Sequence, residues 1–206
     1  MNRHQFLWFG TVLVISLLIA CGPENEKDNN TSVDRQLFVG AVEGTNALAA
    51  LVRQNGQIAF YVCGHGDTLQ SHTRWFNGEM VVDQDGFELA SEAWESTGTV
   101  AGDTATGSLR DPDGMSHAWT LHAAPKGSLA NLYSVMHSGC RTGVIVLDDG
   151  KTEEPAVQGG WCNGEGLIKQ VTPMLPLALT SEGLEISVDL DTGPESFFVQ
   201  PHEIPY

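Results

Sequence analysis

Turn chemistry constrains this chain more than any other feature of its sequence. Asn55-Gly56, Asp83-Gln84-Asp85-Gly86, Gly102-Asp103 and Asp111-Pro112-Asp113-Gly114 each interrupt runs of strand-forming residues. Asn, Asp and Gly tolerate the left-handed backbone of tight turns, and Asn-Gly between apolar runs is the strongest short-range hairpin signal. The runs between the turns (37–43, 47–54, 57–63, 73–82, 87–93, 97–101, 104–109 and 115–123) are of strand length. Short strands with turn signals roughly every 8–12 residues predict an antiparallel meander. A two-residue turn at Asn55-Gly56 also fixes a register, with Gln54 facing Gln57, Val52 facing Ala59 and Ala50 facing Tyr61. A helix over 47–53, capped by Thr45 or Asn46, competes with this. Seven residues make a marginal helix, whereas the hairpin explains both arms.

Further strands are expected at 132–136, 144–147, 156–161, 184–190 and 197–200. Pro173 and Pro176 break 167–179, the one other stretch with helical character. The fold class is therefore all-β, an antiparallel meander forming a barrel or sandwich. A barrel is favoured because closure removes sheet edges.

The first twenty residues are of a different kind. Arg3 gives a positive start, 6–20 are apolar apart from Gly10, Thr11 and Ser16, and Ala20 is a small residue at a cut position. That order is an export signal, removed from the mature protein. At about 15 residues the apolar run is shorter than the roughly 20 of a spanning helix. No other stretch approaches that length.

Leu18-Ile19-Ala20-Cys21 resembles the lipobox that ends the signal peptide of bacterial lipoproteins. The resemblance implies a diacylglyceryl thioether on Cys21, cleavage after Ala20 and acylation of the new amino group with palmitate-type chains. Several acyl chains, at about 0.8 kcal/mol per buried methylene, make such a membrane anchor stable. Gly22 stands where Asp implies inner-membrane retention, so the resemblance points to a cell-envelope protein, in the outer membrane if the cell is Gram-negative. An ordinary secretory signal with a coincidental cysteine is the alternative.

Removing 1–20 takes away one of ten basic residues, Arg3, and none of the 26 acidic ones, leaving nine against 26 and a net charge of −17. Nucleic acid and anionic lipid headgroups need clustered Lys and Arg, so neither is an expected partner; a basic protein is compatible. Residues 21–35 read as a lipidated polar tether, with too little apolar surface to order itself. Residues 36–206 read as a single β-rich domain of ordinary size.

With Cys21 lipidated, Cys63, Cys140 and Cys162 remain. The segment 148–154 reads as a turn centred on Lys151, which sets Val146 opposite Ala156, Val144 opposite Gln158 and Cys140 opposite Cys162. Residues directly opposite in an antiparallel pair are near disulfide range. Gly143, Gly159 and Gly160 are places where a bulge would shift this register by one. Cys63, at the end of an apolar arm, is left as a buried free thiol.

Catalytic templates are absent: the chain has no Gly-x-Ser-x-Gly, His-Glu-x-x-His, phosphate loop or dinucleotide fingerprint. The chain is therefore read as non-catalytic, with no cofactor. Cys63 and His65, with His137 and Cys140, would make a zinc tetrad if they converged, but exported cysteines usually oxidise. Asp189-x-Asp191-x-Gly193 begins like a calcium loop, yet Pro194 follows at once and a turn is the better reading. Trp119 at mid-strand is expected in the core. Trp75 and Phe76 are adjacent and must point to opposite faces of a strand. One of them is then free to line a ligand surface or to cover a sheet end.

Phe38-Val-Gly-x-Val-x-Gly-Thr45, Phe60-Tyr-Val-Cys63, Trp75-Phe-x-Gly78 and Thr104-Ala-Thr-Gly107 together resemble an uncharacterised secreted bacterial domain, over about 38–125. This chain departs from it at Gly64-His65-Gly66-Asp67, and the resemblance carries no activity. The Tyr-x-Cys strand is also similar to membrane-bound lysozyme inhibitors. Their Ser-Gly-x-x-Tyr is not matched by Ser138-Gly139-Cys140-Arg141-Thr142. The leading expectation is a lipid-anchored envelope domain with a non-catalytic binding role. An inhibitor of a secreted basic hydrolase such as a lysozyme is the alternative, and an unrecognised enzyme the third reading.

Overall fold

A computed structural model describes residues 35–81, 85–137, 139–150 and 154–205. The expected leader and tether up to residue 34, Cys21 among them, and Lys151 lie outside the described residues. Eight strands come first: β1 (Arg35–Val42), β2 (Leu48–Gln54), β3 (Gln57–Cys63), β4 (Arg74–Glu79), β5 (Gly86–Ser91), β6 (Trp94–Ala101), β7 (Thr104–Arg110) and β8 (Ser116–Ala123). A single helical turn, α1 (Leu69–His72), joins β3 to β4. Seven more follow: β9 (Asn131–His137), β10 (Cys140–Leu147), β11 (Ala156–Cys162), β12 (Ile168–Pro173), β13 (Leu179–Thr180), β14 (Gly183–Leu190) and β15 (Gly193–Pro201). Every pairing between them is antiparallel.

The all-β expectation holds, and the sheets are two. The first runs β4-β3-β2-β1-β8-β7-β6-β5 and rolls into a nearly closed barrel. Its ends meet where the Val81 N–H donates to Gly86 O (3.0 Å) and Leu89 lies over Gly78. The second runs β12-β11-β10-β9-β15-β14, and the β12–β14 pairing closes it, with β13 also on the β14 edge. Asn55 and Gly56 both have positive φ (53° and 78°), as their hairpin turn requires. The register of that hairpin is the expected one, Gln54 with Gln57, Val52 with Ala59 and Ala50 with Tyr61.

Three buried layers result. Phe38, Phe60, Phe76, Phe87, Trp94 and Trp119 fill the first barrel. Tyr133, Val144, Val146, Trp161, Ile186 and Val199 fill the second. Ala50, Val52, Ala59, Tyr61, Leu132 and Ile145 form a seam between the two walls. In β3, Ile58, Phe60 and Val62 therefore face the barrel while Ala59, Tyr61 and Cys63 face the seam. A wall buried on both faces reads as a continuous apolar run rather than an alternating one. That is why 58–63 and 144–147 are apolar throughout. The described residues form one compact unit.

Hydrogen bonds stitch the seam. The Tyr61 hydroxyl donates to Gly143 O (3.1 Å) and accepts the Gly160 N–H (3.2 Å). A Cβ at Gly143 would stand 2.6 Å from the Tyr61 ring, so this glycine is a socket for the tyrosine. Gln158 donates to the carbonyls of Cys63 and Asn46, and Gln54 accepts the Ile204 N–H.

One register expectation fails. Val146 faces Val157, Leu147 faces Ala156 and Val144 faces Gly159, one residue away from the symmetric turn about Lys151. Opposite residues share a face, and a one-residue slip exchanges the faces of every side chain. The expected pairing would have set Gln158 beside Val144 inside the second barrel; the observed one sets it beside Ile145 in the seam, where it finds two acceptors. Cys140 and Cys162 are nevertheless bonded, with Cα atoms 5.8 Å apart. Beyond the Gly143–Gly160 pair, Thr142 and Arg141 stand against Trp161 alone, as in a β-bulge, and the extra residue restores the cysteines to each other.

Candidate functional site

Among the described residues both barrel interiors are packed with large apolar side chains. The large apolar side chains left outside are unevenly spread. Leu175 is 63% exposed, Leu179 48% and Met174 41%, all within six residues of the β12–β13 connection. Pro173 ends β12, and Pro176 lacks the N–H that a strand or helix would use. The chain therefore crosses the barrel wall as an irregular strap. Leu177 turns inward onto the second core, while its neighbours at 175 and 179 stay outside. Thr180 closes the following turn, its Oγ1 accepting the Glu182 N–H and donating to Gly183 O.

This strap is a ridge between two hollows, with Leu175 and Pro176 common to both. The first hollow, about 660 Å³, is bordered by Leu129, Leu177, Pro155, Asp148 and Glu154. The second, about 380 Å³, is bordered by Met174, Phe198, Glu182 and Glu185. Every described charged residue bordering them is a carboxylate, and none of the four is in an ion pair among the described residues. Asp148 is fixed in place, because its oxygens accept the N–H groups of Leu129 (2.9 Å) and Gly150 (2.8 Å). The arrangement joins exposed aliphatic surface to negative charge on both flanks, which suits recognition rather than bond chemistry.

The residues singled out from sequence lie elsewhere. Cys140 is bonded to Cys162 and Cys63 is buried in the seam, so the four zinc candidates do not assemble. Among the described residues no three His, Cys, Asp or Glu side chains converge on a metal position. Burial pushes the Cys63 thiol up to about 11. Asp189 to Gly193 is a hairpin turn, and its Asp191 meets Lys169 at 2.6 Å, a hydrogen bond that lowers the carboxyl pKa. Phe76 enters the first core, as does Trp119. Trp75 covers the seam: it lies 4.4 Å from Tyr61 and 4.8 Å from His202, and its Nε1–H donates to Arg141 O (3.1 Å).

Two polar clusters escaped the sequence reading. At one end of the first barrel Arg74 stacks on Trp94 (4.4 Å), Ser71 Oγ meets His72 Nδ1 (2.8 Å), and His117 faces Asp111 (3.6 Å). The two histidine rings are 6.1 Å apart, so these are separate pairs rather than a relay. In the seam, Ser134 Oγ meets His202 Nδ1 (2.9 Å), but His202 Nε2 has no partner and the ring is 3% exposed. Burial, with Arg141 and Arg35 beside it, lowers its pKa to about 4. A nucleophile–base pair needs an orienting third group and access for a substrate, and this one has neither. The ridge has a visible signal in the sequence, Met174 and Leu175 between Pro173 and Pro176 with Leu179 just beyond.

No known family model matches the chain, and neither a curated protein nor a solved structure shows significant similarity to it.

Proposed function

We propose that this chain is a lipid-anchored cell-envelope domain with a non-catalytic binding role, held to the membrane through Cys21 and engaging a protein partner across the Met174–Leu179 ridge. One observation carries the reading: both barrels are filled, and exposed large aliphatic side chains cluster on the outer wall of the second. Filled barrels favour surface contacts over a lumenal ligand. An apolar patch rimmed by polar residues is the usual mark of a protein contact.

Metabolic labelling with palmitate tests the anchor, since Cys21→Ser is expected to abolish the label. A photoreactive amino acid placed at Leu175 in intact cells tests the surface. A discrete adduct from position 175, with none from Thr106 on the first barrel's outer wall, is expected; equal labelling at both positions would contradict it. The acidic flanks favour a second reading, inhibition of a secreted basic hydrolase. That reading requires a stoichiometric, salt-sensitive loss of the hydrolase's activity, abolished by Leu175→Asn.

A further inference from the structure

The ridge carries more information than its exposure. Asp148 and Glu154 stand on one side of Leu175 and Glu182 and Glu185 on the other, and no described Lys, Arg or His borders either hollow. An occupant that covers Leu175 necessarily comes within reach of both acidic flanks. Taking carboxylates out of water without a compensating cation is unfavourable. A second copy of this chain brings the same acids to the contact, and an anionic membrane or a nucleic acid brings phosphates. All three are repelled by a chain of net charge −17 after loss of the leader. A simple polycation satisfies the flanks but leaves Met174, Leu175 and Leu179 in water.

Resting on the ridge as the binding surface, we infer that its occupant is a cationic amphipathic segment of a protein: apolar side chains over Met174, Leu175 and Leu179, with Lys or Arg on both sides. The flanking charges speed and orient encounter, while the aliphatic contact slows release. Binding of this kind weakens with added salt, because the rim pairs are solvent-exposed.

The test uses the chain from residue 21 onward with Cys21→Ser, and three labelled 16-residue peptides of one pattern: Lys/Leu, Glu/Leu and Lys/Ser. Fluorescence anisotropy is expected to show binding of the Lys/Leu peptide alone. Glu154→Gln/Glu182→Gln/Glu185→Gln is expected to weaken it about tenfold, the sum of three exposed pairs. Glu43→Gln/Asp67→Asn/Glu88→Gln removes the same charge from the first barrel and is expected to change little. Leu175→Asn/Leu179→Asn, which alters only exposed side chains, is expected to remove most of the binding. Equal affinity of the Lys/Ser and Lys/Leu peptides, or equal loss in the two charge variants, overturns the inference. Equal binding of the Lys/Leu and Glu/Leu peptides, both lost in the leucine variant, overturns the cation requirement and leaves the ridge standing. Binding untouched by the leucine variant, or none at all, overturns the ridge itself.

Discussion

The first barrel takes its eight strands from two runs of hairpins, β1–β4 and β5–β8, joined through β1 and β8, and the expected turn at 83–86 does not pair β4 with β5. The second barrel, by contrast, closes fully with six strands and carries a disulfide. Their fillings differ accordingly. An eight-stranded barrel is wide enough to need large side chains, and the first uses six aromatics, including Trp119 laid over Gly98 and Gly107. The narrower second is filled mainly by Val, Leu and Ile, with Gly159 admitting Val144 and Val171. Strand number dictates core volume, and core volume dictates where glycine must sit. The barrel with the less regular connections also leaves more apolar surface outside: Met136, Leu167, Met174, Leu175 and Leu179, against Val81 and Met115 on the first.

The largest expected effect lies in the aromatic filling of the first barrel. A Cβ at Gly107 would lie 2.3 Å from the Trp119 ring, so ring and glycine are fitted to each other. Trp119→Ala is expected to cost about 3–5 kcal/mol in urea unfolding. The seam bonds at Tyr61 and Gln158 imply that both barrels unfold in one transition. Two separated transitions would show the barrels to be independent.

Next in size is the cystine of the second barrel. Cys140 and Cys162 close a loop of 23 residues, for which the chain-entropy model gives about 3 kcal/mol. Cys140→Ser/Cys162→Ser is expected to lower stability by about that amount, and peptide mapping of unreduced protein to recover the 140–162 pair. A bridge involving Cys63 would contradict the fold.

The two barrels differ equally in how much of each is legible in the sequence. Hairpins of the first are written in local turn residues, Asn55-Gly56 above all, and their register follows from turn length alone. In the second, the β10–β11 register depends on which face of Gln158 finds acceptors in the other barrel, a tertiary fact that no local pattern contains. Gly143 and Gly160 likewise signal a special backbone locally, although what requires them comes from the first barrel, the Tyr61 ring at Gly143 and the Thr73 methyl at Gly160. β12 (Ile168–Pro173) has no clear strand signal, because Pro173 and Pro176 read as breaks in a helical stretch. The ridge was illegible for a related reason, since exposure is decided by which residues the finished barrel already covers.

A smaller effect follows from the seam between the barrels. His202 is held neutral in the fold, with its pKa near 4, against about 6.5 in an unfolded chain. As pH falls the unfolded chain takes up the proton first. The stability contributed by neutral His202 is thus intact above about pH 6.5 and is lost progressively toward pH 4. Between pH 6.5 and 5, above the carboxylate range, His202→Gln is expected to flatten the stability curve. An unchanged slope would mean that another histidine carries it. The smallest effect belongs to the ridge, where Leu175→Asn is expected to move stability by less than about 0.5 kcal/mol, as for an exposed site.

The proposed binding role places recognition on the outer ridge of the second barrel and not inside either barrel. Backbone amide shifts of the labelled chain, titrated with the Lys/Leu peptide, test it most directly. Shifts centred on Met174–Leu179, with Glu182, Glu185 and Phe198 beside them, are the expected result. Shifts centred on the barrel interiors, at Trp119 or Tyr133, with the ridge unmoved, would contradict it.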